Sequence, residues 1–385
     1  METHEDFEKQ KRLDAFYMER ALELAAKGRG TTTPNPMVGA VIVKDGKIIG
    51  EGYHMRAGEG HAEVQAFRNA SEDVTGAVMY VTLEPCSHYG RTPPCADLII
   101  KKGIKRVVIA ALDPNPLVAG RGVEKLREAG IEVVIGTLEK ESIQLNEVFM
   151  KHITTHRPFV LLKAAMSLDG KIATADGESQ WISCEESREE VHRLRHEFTG
   201  IMAGIGTVLA DDPMLNCRIP GGKQPIRIIV DSHLSIPYHS RLVQSAGKYP
   251  LIVAATAHAD SVKKEKLETQ GVQVLKIPDN SKGQVDLDCL MQVLGEMKID
   301  SILLEGGGSL AEGALQAGIV DKVQFYIAPV IIGGERAKTP VEGRGIETLN
   351  QAWKIYDWKT EKIGADLKIT GYVQERGKSD VYRDC

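Results

Sequence analysis

Strand-like and helix-like segments alternate between residues 78 and 137, and this alternation restricts the fold more than any other feature of the sequence. Three segments have the composition of strands: VMYVTLE (78–84), KRVVIAALDP (105–114) and IEVVIGT (131–137). CADLIIKKG and VEKLREAG lie between them and have helical spacing. Strands that alternate with helices build a layered α/β domain. Ligands of such domains bind at the C-terminal ends of the strands.

The segments before this alternation extend the same domain. Residues 14–27 place apolar side chains at helical spacing, and Gly28 and Gly30 follow as stop signals. MVGAVIVKDGKIIGEGY (37–53) predicts a β-hairpin that turns at Asp45-Gly46. A helical pattern resumes over residues 61–69.

A second α/β unit is predicted to begin near residue 151. Its strand candidates are FVLLKAAMS, IRIIVDS, LIVAATA, VQVLKIP, SILLE and VQFYIAPVII. SREEVHRLRHEF and LDCLMQVLGEMK, between them, predict helices. No Pro/Gly-rich linker separates the halves, so a short helix is expected at the join. We therefore predict two domains, residues 1–150 and 151–385.

Composition excludes several classes of protein. A chain of 385 residues is long enough for two domains, and its 42% apolar and 26% charged residues are typical of a globular protein. The net charge of −5 gives no basic surplus for a nucleic acid. No apolar run approaches the ~20 residues of a membrane span, and the charged start is unlike a secretory signal. These features predict a cytoplasmic protein without a membrane or nucleic-acid partner.

Two cysteines of the six stand close together in a polar loop, LEPCSHYGRTPPC (83–95). A Gly-His-Ala-Glu sequence precedes them at 60–63 and opens a predicted helix. One imidazole (His61) and two thiolates (Cys86, Cys95) would give a tetrahedral zinc ion three protein ligands and one open position. Glu63 could then move protons beside the metal. A purely structural zinc site is the alternative, and three ligands rather than four favour catalysis.

The motifs resemble those of the zinc nucleoside and nucleobase deaminases. Most of these enzymes space the cysteines C-x-x-C, whereas eight residues intervene here. The riboflavin-pathway deaminases share this longer loop, and their E-P-C-S-H-x-G-[KR]-T-P-P-C motif matches residues 84–95 at every position. The resemblance implies a cytidine-deaminase-like three-layer α/β domain over about residues 12–150.

The resemblance also implies which residues hold the substrate of this first domain. NPMVGA (35–40) is similar to a segment whose Asn contacts the substrate, and DPNP (113–116) to a substrate-binding loop. Arg91 has the permanent charge and forked geometry that suit a phosphate. The substrate contacts implied are Asn35, His88, Arg91, Asp113 and Asn115.

The second half contains a glycine turn, EGGGSL (305–310), between a predicted strand and a predicted helix. Backbone N–H groups at such a turn can bind an anion, although the turn lacks the G-x-G-x-x-G pattern. LLKAAMSLDGKIA, GESQWIS and GIGTVLADDPMLNCR resemble the reductase half of bifunctional riboflavin-pathway enzymes. That half has a dihydrofolate-reductase-like α/β fold and uses NADPH. The resemblance covers about residues 158–335.

The second resemblance implies two sets of contact residues. The implied NADPH contacts are Ala165, Trp181, Thr207, Asp211, Ser232, Gly306, Gly307, Gly308, Ser309 and Leu310. The implied substrate contacts are Lys163, Ser179, Arg195, Leu215, Arg218 and Glu305.

Together the resemblances imply a bifunctional enzyme of riboflavin biosynthesis with one zinc ion per chain and NADPH. It would deaminate 2,5-diamino-6-(ribosylamino)pyrimidin-4-one 5′-phosphate and then reduce the ribosyl group to ribityl. A homo-oligomer, dimer or tetramer, is expected. Three alternatives remain at this point: a tRNA deaminase, a binding module with structural zinc, and a chain in which only the deaminase half is active.

Overall fold

The computed structural model describes residues 4–89, 93–115 and 118–374. The internal contacts of the chain group its residues into two compact units: unit 1 ends at Thr155, and unit 2 begins at His156. The predicted boundary after residue 150 lies within the last helix of unit 1, Glu147–Thr155. A short helix therefore stands where the sequence predicted one.

Unit 1 contains one sheet and six helices within its described residues. Its elements are α1 (His4–Ala26), β1 (Gly39–Lys44), β2 (Lys47–Tyr53), α2 (Ala62–Arg68), β3 (Val78–Leu83), α3 (Cys95–Lys101), β4 (Arg106–Ala111), α4 (Arg121–Glu128), β5 (Glu132–Ile135), α5 (Glu139–Leu145) and α6 (Glu147–Thr155).

The strands of unit 1 follow the order β2-β1-β3-β4-β5. β1 is antiparallel to β2 and β3, whereas β3, β4 and β5 run parallel. The predicted hairpin is confirmed: Asp45 and Gly46 both have positive φ angles, 49° and 76°, as a two-residue turn with the twist of its strands requires. The parallel order brings the C-terminal ends of β3 and β4 to one edge.

Helices cover both faces of this sheet. Alternate residues of β1 point to opposite sides, so Val41 and Val43 pack with α1 while Ala40 and Ile42 pack with α2, α3 and α4. Glycine makes the close approach of α2 to β2 possible, because a Cβ at Gly52 would lie 2.3 Å from the Ala66 nitrogen. The predicted three-layer arrangement is therefore present.

Unit 2 contains a larger sheet. Its elements are β6 (Phe159–Ser167), α7 (Glu185–Glu197), β7 (Gly200–Gly204), α8 (Ile205–Asp211), β8 (Ile226–Val230), α9 (Arg241–Gln244), β9 (Leu251–Thr256), α10 (Ser261–Thr269), β10 (Val272–Ile277), α11 (Leu287–Glu296), β11 (Ser301–Glu305), α12 (Gly308–Gln316), β12 (Lys322–Ala328), a 3-10 helix (Leu349–Gln351), β13 (Ile355–Ile363) and β14 (Asp366–Val373).

The nine strands follow the order β10-β9-β8-β7-β11-β6-β12-β14-β13. All neighbours from β10 to β12 are parallel, and β14 and β13 add an antiparallel edge. The six predicted strands are present, whereas β7, β13 and β14 were not predicted. The predicted strand VQFYIAPVII was too long, because β12 ends at Ala328. Beyond this end, the Asp169 carboxylate instead accepts the backbone N–H groups of Ile332 (3.1 Å) and Gly333 (2.7 Å).

Two apolar layers hold this sheet between helices. Val160, Leu162 and Ile302 belong to a cluster with α11 and α12 on one face, and Ile201 and Ile229 to a cluster with α8, α9 and α10 on the other. Across residues 4–89, 93–115 and 118–374 we find no helix with the length and hydropathy to cross a membrane.

Candidate active sites in the two units

The three predicted zinc ligands converge in unit 1. His61 stands immediately before α2, Cys86 follows β3, and Cys95 is the first residue of α3. His61 Nδ1 lies 3.5 Å from Cys86 Sγ and 3.3 Å from Cys95 Sγ. All three donor atoms lie within 4.8 Å of one another. His61 and Cys95 are 34 residues apart in the sequence, and the fold brings their side chains together.

The geometry and chemistry of these donors fit zinc. A tetrahedral zinc ion with Zn–S bonds of about 2.3 Å and Zn–N bonds of about 2.1 Å holds its donors about 3.6 Å apart. Hydrogen bonds from the Cys95 thiol and from the His61 ring lower the pKa of Cys86 despite its burial. The Cys95 backbone N–H also donates to Cys86 Sγ at 3.3 Å. This environment favours the thiolate, the form that binds a metal.

Glu63 is buried beside the three donors, in the first turn of α2. Its side chain is 3% exposed, and burial followed by the negative charge of Cys86 raises the pKa of its carboxyl to about 6. It is a carboxyl group near, but separate from, the donor set. This position is the one that a proton carrier beside a metal requires.

Asn35 is connected to the three donor residues through His54, which contacts His61. Its Nδ2 lies 3.1 Å from His54 Nε2, and the His54 ring meets the His61 ring edge to face with centroids 5.6 Å apart. The segment that carries Asn35 is anchored by Asn146, which bonds both the N–H (2.8 Å) and the carbonyl (2.9 Å) of Met37. The predicted substrate contact is thus brought near the donors.

The other predicted substrate contacts lie on two loops at the ends of β3 and β4. Asp113 accepts a hydrogen bond from the Asn115 N–H at 2.8 Å, and burial raises the pKa of the Asp113 carboxyl. His88 is exposed on the loop between the two cysteines. Arg91 lies outside the described residues.

Glu84 was missed by the sequence prediction, although it adjoins the metal segment. Its side chain is 4% exposed. One carboxylate oxygen accepts the N–H groups of Gly120 and Asp113, and the other those of Gly122 and Val123. The Glu-Pro-Cys sequence was the only available signal, and it does not reveal these partners.

Three predicted substrate contacts form an ion-pair cluster in unit 2. Glu305 ends β11 beside Lys163 of β6, with which it is in register. Arg195 of α7 makes two parallel bonds of 2.9 Å to the Glu305 carboxylate, and Lys163 Nζ lies 3.6 Å from it. Burial opposes ionisation of Glu305, but the charges of Arg195 and Lys163 outweigh it and lower its pKa to about 2.

Arg218 lies next to this cluster through His192. Its Nε donates to His192 Nε2 at 2.9 Å, and the Arg218 side chain is exposed. Burial, with the charges of Arg195 and Arg218, lowers the pKa of His192 to about 4. The imidazole is therefore neutral at pH 7 and accepts the bond from Arg218. The charges of two guanidinium groups, Arg195 and Arg218, thus act on a neutral ring.

The predicted glycine turn joins β11 to α12 as expected. Thr207 Oγ1 accepts the Gly307 N–H at 3.2 Å, and Leu310 faces Gly204. A segment after β12 also lies against this turn: the Gly308 carbonyl accepts the Glu342 N–H at 3.1 Å, and Ser309 Oγ donates to the Glu342 carboxylate at 3.2 Å. A carboxylate therefore stands at the start of α12, where an anion was predicted.

The remaining predicted contacts of unit 2 occupy different environments. Trp181 is 63% exposed with the Arg188 guanidinium 4.8 Å from its ring centre, and Leu215 is buried in an apolar cluster. Ser232 Oγ accepts the Val285 N–H at 3.1 Å. Ala165 lies in β6, Ser179 between β6 and α7, and Asp211 at the end of α8. In the described part of the chain, none of these six forms a hydrogen bond or an ion pair with Lys163, Arg195 or Glu305.

Two family models match the chain, one in each unit. The model described as the cytidine and deoxycytidylate deaminase zinc-binding region matches residues 11–111. The RibD C-terminal domain model matches residues 158–369. The first contains all three candidate ligands, and the second contains the Glu305 cluster and the glycine turn.

Relatives match the chain over nearly its whole length. It is 53% identical to riboflavin biosynthesis protein RibD of Actinobacillus pleuropneumoniae over 356 residues, which cover 92% of this chain and 94% of that protein. It is 46% identical to the Escherichia coli RibD protein, covering 92% and 98% of the two chains. The chain belongs to the RibD family.

Solved structures of the RibD family have the same architecture. The Acinetobacter baumannii RibD structure aligns with a TM-score of 0.83 at 38% identity, covering 95% of this chain and all of that one. A Thermotoga maritima structure, titled diaminohydroxyphosphoribosylaminopyrimidine deaminase/5-amino-6-(5-phosphoribosylamino)uracil reductase, aligns with a TM-score of 0.82 at 36% identity and the same coverage. The predicted fold class, the bifunctional deaminase–reductase activity in riboflavin biosynthesis, and the zinc and NADPH cofactors are confirmed for this RibD family member.

Proposed function

We propose that unit 1 deaminates 2,5-diamino-6-(ribosylamino)pyrimidin-4-one 5′-phosphate and that unit 2 then reduces the ribosyl group to ribityl. The convergence of His61, Cys86 and Cys95 on one point beside buried Glu63 is the observation that carries this proposal. The printed name of the Thermotoga maritima relative supports the same pair of reactions.

In unit 1 the roles follow from the donor set. His61, Cys86 and Cys95 would hold zinc, which when bound supplies an activated water for attack on the ring carbon that bears the 2-amino group. Glu63 takes the two protons of the attacking water in turn and delivers one to the ring nitrogen and the other to the amino group that leaves as ammonia. Asn35, Asp113 and Asn115 orient the pyrimidine and ribose, as the resemblance of their segments to the riboflavin-pathway deaminases implies, and His88 and Arg91 complete this set.

In unit 2 the roles follow from the ion-pair cluster. NADPH when bound supplies a hydride to C1′ of the opened sugar. Lys163, Arg195 and Glu305 line the sugar, with Ser179 and Leu215 as further contacts, and the exposed guanidinium of Arg218 suits the 5′-phosphate. The cofactor contacts proposed are Ala165, Trp181, Thr207, Asp211, Ser232 and residues 306–310.

The proposal extends to the assembly and its compartment. The family resemblance supports a homo-oligomer, a dimer or tetramer, that acts in the cytosol on small phosphorylated pyrimidines. Sedimentation of the purified chain would test the oligomer, since a monomer at working concentration would contradict it.

One incubation tests the two reactions together. The purified chain receives the diaminopyrimidine phosphate with or without NADPH, while ammonia and the nicotinamide absorbance are followed in the same tube. Ammonia should form in both cases, and NADPH oxidation should lag behind it because the first product is the second substrate. Absence of ammonia, or NADPH oxidation without ammonia, would contradict the proposal.

A further inference from the structure

Glu84 is a buried carboxylate placed between the metal segment and the substrate loop. It follows β3 directly and precedes Pro85 and Cys86. Only 4% of its side chain is exposed, and within residues 4–89, 93–115 and 118–374 no ion pair to it is found. A buried carboxylate is costly unless hydrogen bonds satisfy its oxygens. Here those bonds come from the backbone.

One carboxylate oxygen of Glu84 accepts hydrogen bonds from both ends of the loop that carries Asp113 and Asn115. Its Oε2 accepts the Gly120 N–H at 3.0 Å and the Asp113 N–H at 3.4 Å. The segment between these two residues carries Asp113 and Asn115, which the proposed function places against the substrate. The bonds to one atom therefore fix where this segment leaves the end of β4 and where it enters α4.

The other oxygen fixes the helix that follows the loop. Oε1 accepts the N–H groups of Gly122 (2.9 Å) and Val123 (3.2 Å) in the first turn of α4. A carboxylate is favourable at this helix end, where N–H groups lack partners within the helix. Gly122 also touches the metal segment, since a Cβ there would lie 2.1 Å from the Pro85 carbonyl oxygen. Loop, helix and metal segment thus meet at one side chain.

We propose that Glu84 is the positioning residue of the deaminase site, which sets the Asp113–Asn115 loop at a fixed place relative to the zinc ligands. This inference rests on the proposed function and names a residue that neither binds the metal nor touches the substrate. Its consequence is specific: loss of the carboxylate should weaken substrate binding while the metal and its three ligands remain.

Glu84→Gln is the variant that tests this role. The amide has one acceptor oxygen and an NH₂ group, so one of the two N–H pairs would face a donor. We expect KM for the diaminopyrimidine phosphate to rise about tenfold or more, with a smaller change in kcat. Zinc content by elemental analysis should stay near that of the unaltered chain. Reduction of the deaminated substrate by unit 2 should be unchanged.

Asp14→Asn is the matched control. Asp14 is also a 4% exposed carboxylate of unit 1, but it bonds Arg106 (2.7 and 2.8 Å) and Tyr80 (2.9 Å) away from the site. This variant should lower the unfolding temperature of unit 1 and leave KM unaltered. If both variants raised KM alike at equal loss of stability, Glu84 would be merely structural and the inference would be wrong. Loss of zinc in Glu84→Gln would also overturn it.

Hydrogen exchange gives a readout that does not depend on the reaction. Amides of peptides covering Asp113 and residues 118–123 should exchange faster in Glu84→Gln but not in Asp14→Asn. Unchanged protection there would overturn the inference even if the substrate were misidentified. Conversely, absence of ammonia release by the unaltered chain would refute the proposed function and leave the exchange result to decide on Glu84.

Discussion

At the scale of single residues, Glu63 permits the most direct test of the chemistry. Glu63→Gln keeps the size of the side chain and removes the carboxyl group that we propose carries the protons. We expect ammonia release to fall by about 10²–10⁴-fold, the usual contribution of a general acid–base residue. Zinc content should be retained because His61, Cys86 and Cys95 are unchanged. Ammonia assays and elemental analysis on the same preparation would measure both.

Glu59→Gln is the control for this change. Glu59 is exposed four residues before Glu63, and it lies outside the donor set. Its replacement should leave ammonia release within about twofold of the unaltered chain, since an exposed carboxylate contributes little. Normal turnover by Glu63→Gln would show that the proton moves through another group.

The ionisation of Glu305 makes the stability of unit 2 depend on pH in the acid range. The folded pKa of about 2 is below the ordinary value of 4.5, so the unfolded chain takes up the proton first as pH falls. The ionised group therefore adds stability above pH 4.5, and this stability is lost as pH falls from 4.5 towards 2. The difference between the folded and unfolded pKa of Glu305 corresponds to about 3 kcal/mol in the free energy of unfolding.

Tryptophan fluorescence can measure this loss in unit 2 alone, because all three tryptophans lie there: Trp181, Trp353 and Trp358. Urea unfolding of Glu305→Gln should show lower stability at neutral pH and a flatter decline below pH 4.5 than the unaltered chain. Glu335→Gln, at an exposed carboxyl of the same unit, should keep the steep decline. Equal slopes in all three proteins would contradict the assignment.

The residue scale also shows what the sequence could reveal about the site. His61, Cys86 and Cys95 were predictable because imidazole and thiolate are distinctive ligands and stand in a recognisable motif. Glu84 was not, because its partners are backbone N–H groups 29 to 39 residues away. Every residue except proline offers such an N–H, so no sequence pattern identifies which ones a carboxylate will meet.

At the scale of elements, burial distinguishes β6, which was predicted, from β13, which was missed, whereas the buried strand β7 was missed because its short sequence GIMAG begins and ends with glycine. β6 was predicted with its observed bounds because it begins with four fully buried apolar residues in the middle of the sheet. β13 was missed because it is an edge strand whose residues are mostly exposed, and its sequence IYDWKTEKI reads as polar. An edge strand pairs with another strand on one side only and can leave most of its side chains exposed, so its pattern of apolar residues is weak.

The segment that covers the start of α12 gives a prediction at this scale. If the phosphates of NADPH bind at the glycine turn, the Glu342 carboxylate beside Ser309 repels them, and Lys338 (3.5 Å from it) offsets only part of that charge. Glu342→Gln should therefore lower KM for NADPH severalfold, with the difference shrinking at high salt. Initial rates of NADPH oxidation at two ionic strengths would measure this.

Glu347→Gln is the matched control, since Glu347 is an exposed carboxylate of the same connection. It should leave KM for NADPH unchanged. A higher KM in Glu342→Gln would show instead that the carboxylate binds the cofactor, for example through ribose hydroxyls, and would contradict the repulsion argument.

At the scale of the whole molecule, each unit has its own sheet and its own apolar layers. The sequence predicted two α/β units because the strand and helix patterns restart after a helix. It could not predict the division at Thr155, since no change of composition marks the helix in which the first unit ends.

The separation of the units predicts that the two activities can be removed one at a time. If the three converging donors of unit 1 hold the zinc, a chelator should abolish ammonia release and leave reduction of the deaminated substrate intact. Arg218→Ala should do the reverse: weaken reduction through loss of the guanidinium next to His192 and leave ammonia release unchanged. Zinc added back should restore the first activity without affecting the second. If either treatment lowered both activities together, the two sites would not be independent, and the assignment of one reaction to each unit would be wrong.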